Sequence, residues 1–166
     1  MFSENYKHEV FIQPREDYLD NLRKTNSYLY PVNCNQSILI TDVKNTDKIW
    51  SGPDYYGFHP TSEYIKRGID DIFLISYKYS REDTKYHIIC TEDQKFGQLN
   101  GGLVELYKLK VGDGLLLNTG QPGYCFSPYE LEITDIEYVG KSFVGSLQVE
   151  NSHRFSCNGI ICGDID

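Results

Sequence analysis

The stretch that decides the fold lies near the end of the chain. It reads Ile133-Thr-Asp-Ile-Glu-Tyr-Val-Gly140, then Phe143-Val-Gly-Ser-Leu-Gln-Val-Glu-Asn-Ser-His-Arg-Phe155, then Asn158-Gly-Ile-Ile-Cys162. Strands favour its β-branched and aromatic residues, and the Asn158-Gly159 pair is typical of a tight turn. The stretch therefore predicts consecutive strands joined by turns.

The same pattern recurs upstream, where short runs rich in Tyr, Ile, Val, Phe and Thr are separated by Gly, Pro, Asn and Asp. We predict strands at residues 9–12, 37–43, 48–51, 71–79, 85–90, 103–107, 114–117, 129–139, 143–149 and 159–162. Many short strands with frequent turns indicate an all-β fold. The runs at 37–43 and 131–136 both pass through Ile-Thr-Asp, which arises by chance or marks a duplicated β unit.

One short helix is expected near residues 15–25. Pro14 precedes the acidic residues Glu16 and Asp17, which suit a first helical turn, and Leu19 and Leu22 give a weak apolar face. We interpret residues 14–36 as an insertion. Residues 118–127 contain two glycines and one proline and are predicted to form a loop.

Composition narrows the class of protein. At 166 residues and 40% hydrophobic, the chain suits one globular domain spanning residues 1–166. A net charge of −8 argues against nucleic acid as a main partner, because phosphate binding needs a basic face, and the densest basic pair, Lys66-Arg67, is small. No apolar run is long enough to cross a membrane, and the first residues do not form a signal peptide, so we expect a cytoplasmic protein.

The five cysteines are irregularly spaced and form no CxxC pair. Cys157 and Cys162 with His153 have a spacing that a metal site rarely uses, so we interpret the cysteines as small buried hydrophobic residues. The sequence implies no metal and no cofactor. It also contains no hydrolytic triad and no phosphate-binding loop, so a conventional enzyme is not indicated.

Two blocks together resemble one known family. The stretch from Ile133 to Cys162 looks like the C-terminal end of an intein, with its strand, its Val-Glu, its His-x-Phe and its Asn-Gly-Ile-Ile. Tyr86-His-Ile-Ile-Cys-Thr-Glu-Asp-Gln94, followed by Leu109-Lys-Val-Gly-Asp113, resembles the family's Thr-x-x-His block and the turn after it. The resemblance implies a Hint (hedgehog/intein) domain with a horseshoe-like β fold. Because only a short loop stands at residues 118–127, it implies the minimal form without a homing endonuclease.

The resemblance assigns six positions to chemistry, and most hold other residues here. Splicing needs a nucleophile at the first residue, but Met1 carries a thioether. Thr91 keeps the threonine of the Thr-x-x-His block, whereas Gln94 replaces its histidine and cannot shuttle a proton. Ser146 stands where the family usually has Asp.

The C-terminal positions differ more. His153 matches the family's histidine, which polarises a carbonyl there; a hydrogen-bonded structural histidine is the alternative. Asp164 stands where the family has the terminal Asn that cyclises, and Gly163 where it usually has His. Ile165, at the acceptor position, offers no nucleophile.

These substitutions lead to two hypotheses. The first is an intein-like Hint domain of protein-splicing descent that no longer splices, retains at most single-turnover autocatalytic cleavage, and has flanking host-protein segments as its partners. The second is a non-catalytic binding module with an aromatic surface at Tyr55, Tyr56 and Phe58. In either case we expect a monomer.

Overall fold

Strands are the main secondary structure of the described residues. The computed structural model describes residues 1–25, 35–52, 57–99, 101–117 and 130–165. In these residues the elements are β1 (Phe2–Ser3), β2 (Glu9–Ile12), α1 (Glu16–Thr25), β3 (Gln36–Leu39), β4 (Lys48–Trp50), β5 (Phe58–Pro60), β6 (Ile65–Lys78), β7 (Tyr86–Cys90), β8 (Lys95–Gly97), β9 (Leu103–Glu105), β10 (Gly114–Leu116), β11 (Glu130–Ser146), β12 (Arg154–Cys157) and β13 (Ile160–Gly163). The prediction of an all-β chain with one short helix near residues 15–25 is confirmed.

The differences from the sequence prediction have local causes. The runs at 37–43 and 103–107 are strands that end in single 3-10 turns, Ile40–Asp42 and Leu106–Lys108. The two strands expected at 129–139 and 143–149 are one long strand, β11. Gly140 has φ +107, a conformation open to glycine, and lets the strand continue through a bulge where the sequence suggested a turn.

The first sheet closes on itself. Its strands follow the order β1-β7-β6-β11-β10, and β1 also pairs with β11. Phe2 therefore lies opposite Cys90 of β7 on one side and opposite Gly145 of β11 on the other. Insertion of β1 between these two strands fixes the position of the first residue.

The second sheet has the β12–β13 hairpin at its centre. Its order is β5-β4-β2-β12-β13-β8-β9, with β3 paired to β2. Cys157 of β12 pairs with Val10 of β2, and Cys162 of β13 pairs with Phe96 of β8. Each arm of the hairpin thus carries one half of the sheet.

The two halves contain the same turn. In the first half, the backbone N–H of Lys44 donates to Asp47 Oδ2 at 2.9 Å and the N–H of Asp47 donates to the Lys44 carbonyl at 3.0 Å. In the second, Lys110 and Asp113 make the same two bonds at 2.9 and 3.0 Å. An aspartate whose side chain accepts a backbone N–H of its own turn in this way stabilises the turn between two strands.

The same correspondence relates His8 to Gln94. Ile40 N donates to the His8 carbonyl at 2.8 Å in one half, and Leu106 N donates to the Gln94 carbonyl at 2.9 Å in the other. The repeated unit is therefore β2-β3-turn-β4 and β8-β9-turn-β10. The Ile-Thr-Asp echo between 37–43 and 131–136 is not a structural repeat, because one copy is a 3-10 turn and the other is strand β11.

A single apolar core joins the two sheets. Phe2, fully buried, packs its ring 5.8 Å from Phe155 and 5.1 Å from the His8 ring. Burying a phenylalanine of this kind contributes roughly 1.5–3 kcal/mol to folding. The short strand β1 is thus held mainly by its apolar side chain.

His8 is a buried titratable group in this core. The side chain is 1% exposed, and its Nε2 accepts a hydrogen bond from Ile89 N at 3.1 Å. Burial lowers the pKa of His8 to about 4, because desolvation penalises the charged imidazolium. The folded protein therefore resists protonation that the unfolded chain accepts near pH 6.5.

We expect His8 to make stability depend on pH. Since its pKa is depressed in the folded state, its contribution is fully present above about pH 6.5 and is lost as pH falls toward 4. Between pH 7 and pH 5 the native chain should lose about 2 kcal/mol more unfolding free energy than His8→Gln, which places at this position the side chain of the repeat partner Gln94. Urea unfolding of both chains at the two pH values measures the difference; equal losses would rule out this role.

Candidate active site

One glutamine side chain joins the first residue to the end of the last strand. Gln94 Oε1 accepts a hydrogen bond from the Met1 amine at 2.9 Å, and Gln94 Nε2 donates to the Gly163 carbonyl at 3.0 Å. Gln94 is 4% exposed. The start of β1 and the end of β13 are therefore separated by the width of one amide side chain.

The turn after β7 positions this glutamine. Thr91 N donates to the Met1 carbonyl at 2.9 Å, which extends the β1–β7 ladder by one residue, and Gln94 N closes the turn on the Thr91 carbonyl at 3.2 Å. Thr91 Oγ1 accepts from the Met1 amine at 2.8 Å and donates to the Asp93 carboxylate. The turn thus surrounds the nitrogen of residue 1 with two oxygen acceptors.

The charge on Met1 is disfavoured at this place. Burial lowers the pKa of the Met1 amine, while the nearby Cys90 thiol and Asp93 carboxylate act in the opposite direction. If a residue precedes Met1, the amine becomes an amide with a single N–H. Only one of the two acceptors, Thr91 or Gln94, can then be bonded to it.

Asp164 anchors the C-terminal side. Its fully buried carboxylate accepts from Val149 N at 2.7 Å and lies 3.2 Å from His153 Nδ1, measured to the same oxygen, Oδ2. The Asp164 N–H donates to the His153 carbonyl at 3.0 Å. His153 has φ +54, in the left-handed region, and both its carbonyl and its ring contact Asp164.

Ser146 and Ser3 are two buried serines near the first residue. Ser146 follows Gly145, the partner of Phe2, and is 1% exposed; its Oγ makes no hydrogen bond within the described part of the chain. Ser3 Oγ donates to Ser142 Oγ at 3.0 Å. Ser3 is therefore engaged away from the bond that precedes residue 1.

Gly163 is a crowded position. A Cβ added there would lie 2.9 Å from the Cβ of Lys95 and 3.3 Å from Leu103 Cδ1. Since the Lys95 contact involves the base of a side chain rather than its flexible end, the strand itself must shift to accept a larger residue. The histidine that the intein resemblance implies here has no room without that shift.

The structure brings Met1, Thr91, Gln94 and Asp164 together. Met1, Gln94 and Asp164 line one cleft of about 540 Å³. His153, whose side chain is 61% exposed, contacts the group through the Asp164 carboxylate and itself lines a neighbouring hollow of about 480 Å³. Their catalytic roles remain predictions.

Sequence reasoning did not identify several residues of this cleft. Its wall also includes Arg67, Asp93, Lys95, Glu105 and Tyr107. Arg67 belongs to the basic pair that the sequence analysis treated as minor. Asp93 lies two residues after Thr91, a spacing that only the turn geometry makes significant.

The described residues also bear on metal binding and on membrane insertion. They contain no group of three or more His, Cys, Asp or Glu side chains placed to hold a metal ion. Within the same residues, no helix combines the length and the apolar character that crossing a membrane requires.

Comparison with solved structures identifies the fold. No protein-family model matches the sequence, and no curated protein matches it. The VidaL intein superimposes with a TM-score of 0.65 at 12% identity, covering 96% of this chain and 95% of that chain. A DnaB intein from Synechocystis sp. PCC 6803 gives 0.64 at 19% identity, covering 79% and 89%, and the gp41-1 intein gives 0.58 at 20% identity, covering 76% and 87%.

The chain therefore has the Hint fold, in the minimal form seen in the mini-inteins. The fold implied by the sequence blocks around Thr91 and Asn158 is confirmed. Identities this low show the fold alone.

We expect the Gln94 bridge to contribute to stability. Gln94→Met keeps the shape of the side chain but leaves the Gly163 carbonyl and one hydrogen of the Met1 amine without their partner, which should cost about 1–3 kcal/mol. Gln148→Met, at an exposed glutamine, should stay within about 0.5 kcal/mol of the native chain. Denaturant unfolding compares the three proteins, and a Gln94→Met chain as stable as the control would contradict the bridge.

Proposed function

We propose that this chain is a Hint domain of protein-splicing descent in which the splicing chemistry is disabled. The observation that carries the proposal is the Gln94 bridge, because it joins the two positions at which an intein's bonds are broken. A non-titrating amide holds these ends, where the resemblance implies a proton-transferring histidine. The framework of a splicing domain is thus retained while its acid-base group is absent.

Each step of splicing lacks a reactive group. The first step is attack by residue 1 on the carbonyl before it, and the Met1 thioether cannot form the acyl intermediate. Protonation of the leaving amine needs a titratable donor, and Gln94 cannot change its protonation state. Transfer to the following residue needs a hydroxyl or thiol, which Ile165 does not have.

Asp164 fits the same conclusion. Cyclisation by the family's terminal Asn uses the amide nitrogen as the nucleophile, and a carboxylate has no such nitrogen. The Asp164 carboxylate also accepts the Val149 N–H at 2.7 Å and contacts His153 at 3.2 Å. These contacts support a structural role, in which the Asp164 side chain joins His153 to the backbone at Val149.

The partners of such a domain are the host-protein segments that flank it. Helix α1 has no buried residue. This observation supports the interpretation of residues 14–36 as an insertion in a single domain of residues 1–166. Residues 118–127, where an endonuclease would be inserted, lie outside the described residues.

The binding-module alternative is not favoured. Tyr55 and Tyr56 lie outside the described residues. Phe58 is partly buried and packs its ring 5.7 Å from the buried Trp50 in an edge-on contact. Phe58 therefore extends the core instead of offering a free aromatic surface.

We expect no splicing from the native chain. Placed between two folded reporter domains, it should give no ligated product with or without a thiol, because Ile165 cannot accept the transferred chain. Thiol-dependent cleavage before residue 1 should appear only after Met1→Cys. Intact-mass spectrometry distinguishes precursor, cleaved fragments and ligated product, and ligated product from the native chain would falsify the disabled state.

A rescue series tests the descent. Met1→Cys, Gln94→His and the pair Asp164→Asn with Ile165→Cys should each do little alone, since groups that act as one unit fail together. The full set should give measurable cleavage or splicing, with Gln94→His contributing about 10²–10⁴-fold in rate. The matched control carries Gln148→His in place of Gln94→His and should stay slow. A folded full set that is inert over days would count against an inherited active-site geometry.

A further inference from the structure

Strand β7 is shorter than the strand it pairs with. β6 spans Ile65–Lys78, but only its residues 73–77 pair with β7. Residues 65–72 pair with β11 on their other side. Among the described residues, the β7-facing edge of residues 65–72 therefore has backbone N–H and C=O groups with no strand opposite them.

The first residue of the chain leads toward this open edge. β1 is antiparallel to β7, and β7 is antiparallel to β6, so β1 and β6 run parallel. Cys90 is level with Phe2 on one side and with Phe73 on the other. β1 and β6 lie on opposite sides of β7, so a segment that preceded Met1 would pair with residues 65–72 by moving into the position that β7 leaves where it ends.

A cleft lies between Met1 and this edge of β6, and the Arg67 side chain lines it. The cleft of about 540 Å³ is lined by Met1 and Arg67, and the turn at Asp93 and Gln94 closes it where β7 stops. Arg67 is the extra residue of a bulge, because Lys66 pairs with Gly145 and Gly68 with Val144. Such bulges redirect side chains beside binding sites.

Arg67 is available for binding. Its side chain is exposed, and it makes no hydrogen bond or ion pair within the described part of the chain. Gly68, with φ +93, allows the bend that the bulge needs. A guanidinium offers five N–H donors and no acceptor, so it suits the carbonyl oxygens of a peptide.

We propose that the open edge of β6, residues 65–72, binds the polypeptide segment that precedes Met1 in a longer precursor as an added parallel strand, with Arg67 donating to its carbonyls. The inference rests on the proposed function, because it takes the flanking segment as the occupant. Recognition through the main chain tolerates many side chains but excludes proline, which has no N–H to donate. The site would therefore accept different host sequences in an extended conformation.

Amide hydrogen exchange tests the proposal. Three forms of the chain are compared: one beginning at Met1, one with an eight-residue Thr/Val/Lys extension before Met1, and one whose extension has prolines at two neighbouring positions. The extension without proline should slow exchange at least tenfold for those amides of residues 65–72 that do not face β11. The extension with prolines should not slow it, because one proline faces the edge in either register.

Arg67 has a matched control at its neighbour. In the extended chain, Arg67→Gln should lower the added protection at least threefold, whereas Lys66→Gln, at an equally exposed residue, should leave it unchanged. The chains should show the same far-UV circular dichroism, which separates lost docking from lost folding.

Three results would overturn the proposal. One is the absence of added protection with the extension. Another is equal protection by the extension with prolines, which indicates crowding and not strand pairing. The third is protection of the unextended chain that rises with protein concentration, which assigns the edge to a second copy of this chain. None of these measurements depends on splicing, so failure of the rescue series counts against the proposed function alone.

Discussion

The pairing of a two-residue strand with both of its neighbours controls the functional end of this molecule. β1 contains only Phe2 and Ser3, yet it lies between β7 and β11 and completes the closed first sheet. Burial of the Phe2 ring against Phe155 and His8 holds it there. Because the nitrogen of Met1 is fixed by this strand, the positions of Thr91 and Gln94 relative to it, and the cleft beside it, all follow from one buried aromatic side chain.

The sequence blocks predicted the fold because they combine strand propensity with turns at fixed spacing. The stretch ending at Cys162 and the block around Thr91 contain enough strand-forming residues and turn residues to predict the order of the elements. The sequence did not predict β1, β8 and β12, because runs of two to four residues give few alternating positions, although β2, which also has four residues, was predicted. The long β11 was divided because Gly140 looks the same in a sequence whether it forms a turn or a bulge.

The candidate site was predicted unevenly for a similar reason. Thr91, Gln94 and Asp164 were identified because a resemblance supplied their positions. The cleft residue Arg67 was not, because its significance depends on the register between β6 and β11 and on the bulge that this register produces. The correspondence of His8 with Gln94 was also invisible, since the two halves share backbone hydrogen bonds and little sequence.

The closeness of the two chain ends has a consequence for any protein that contains this domain within a loop. For a flexible insert of 166 residues, loop closure costs roughly 4–5 kcal/mol of chain entropy. Here the folded insert holds its own ends together through Gln94, so the surrounding protein does not bear the entropy cost of closing a long flexible loop. The host's neighbouring strands or helices can then keep their native spacing, so the inserted domain leaves the fold of the host unchanged.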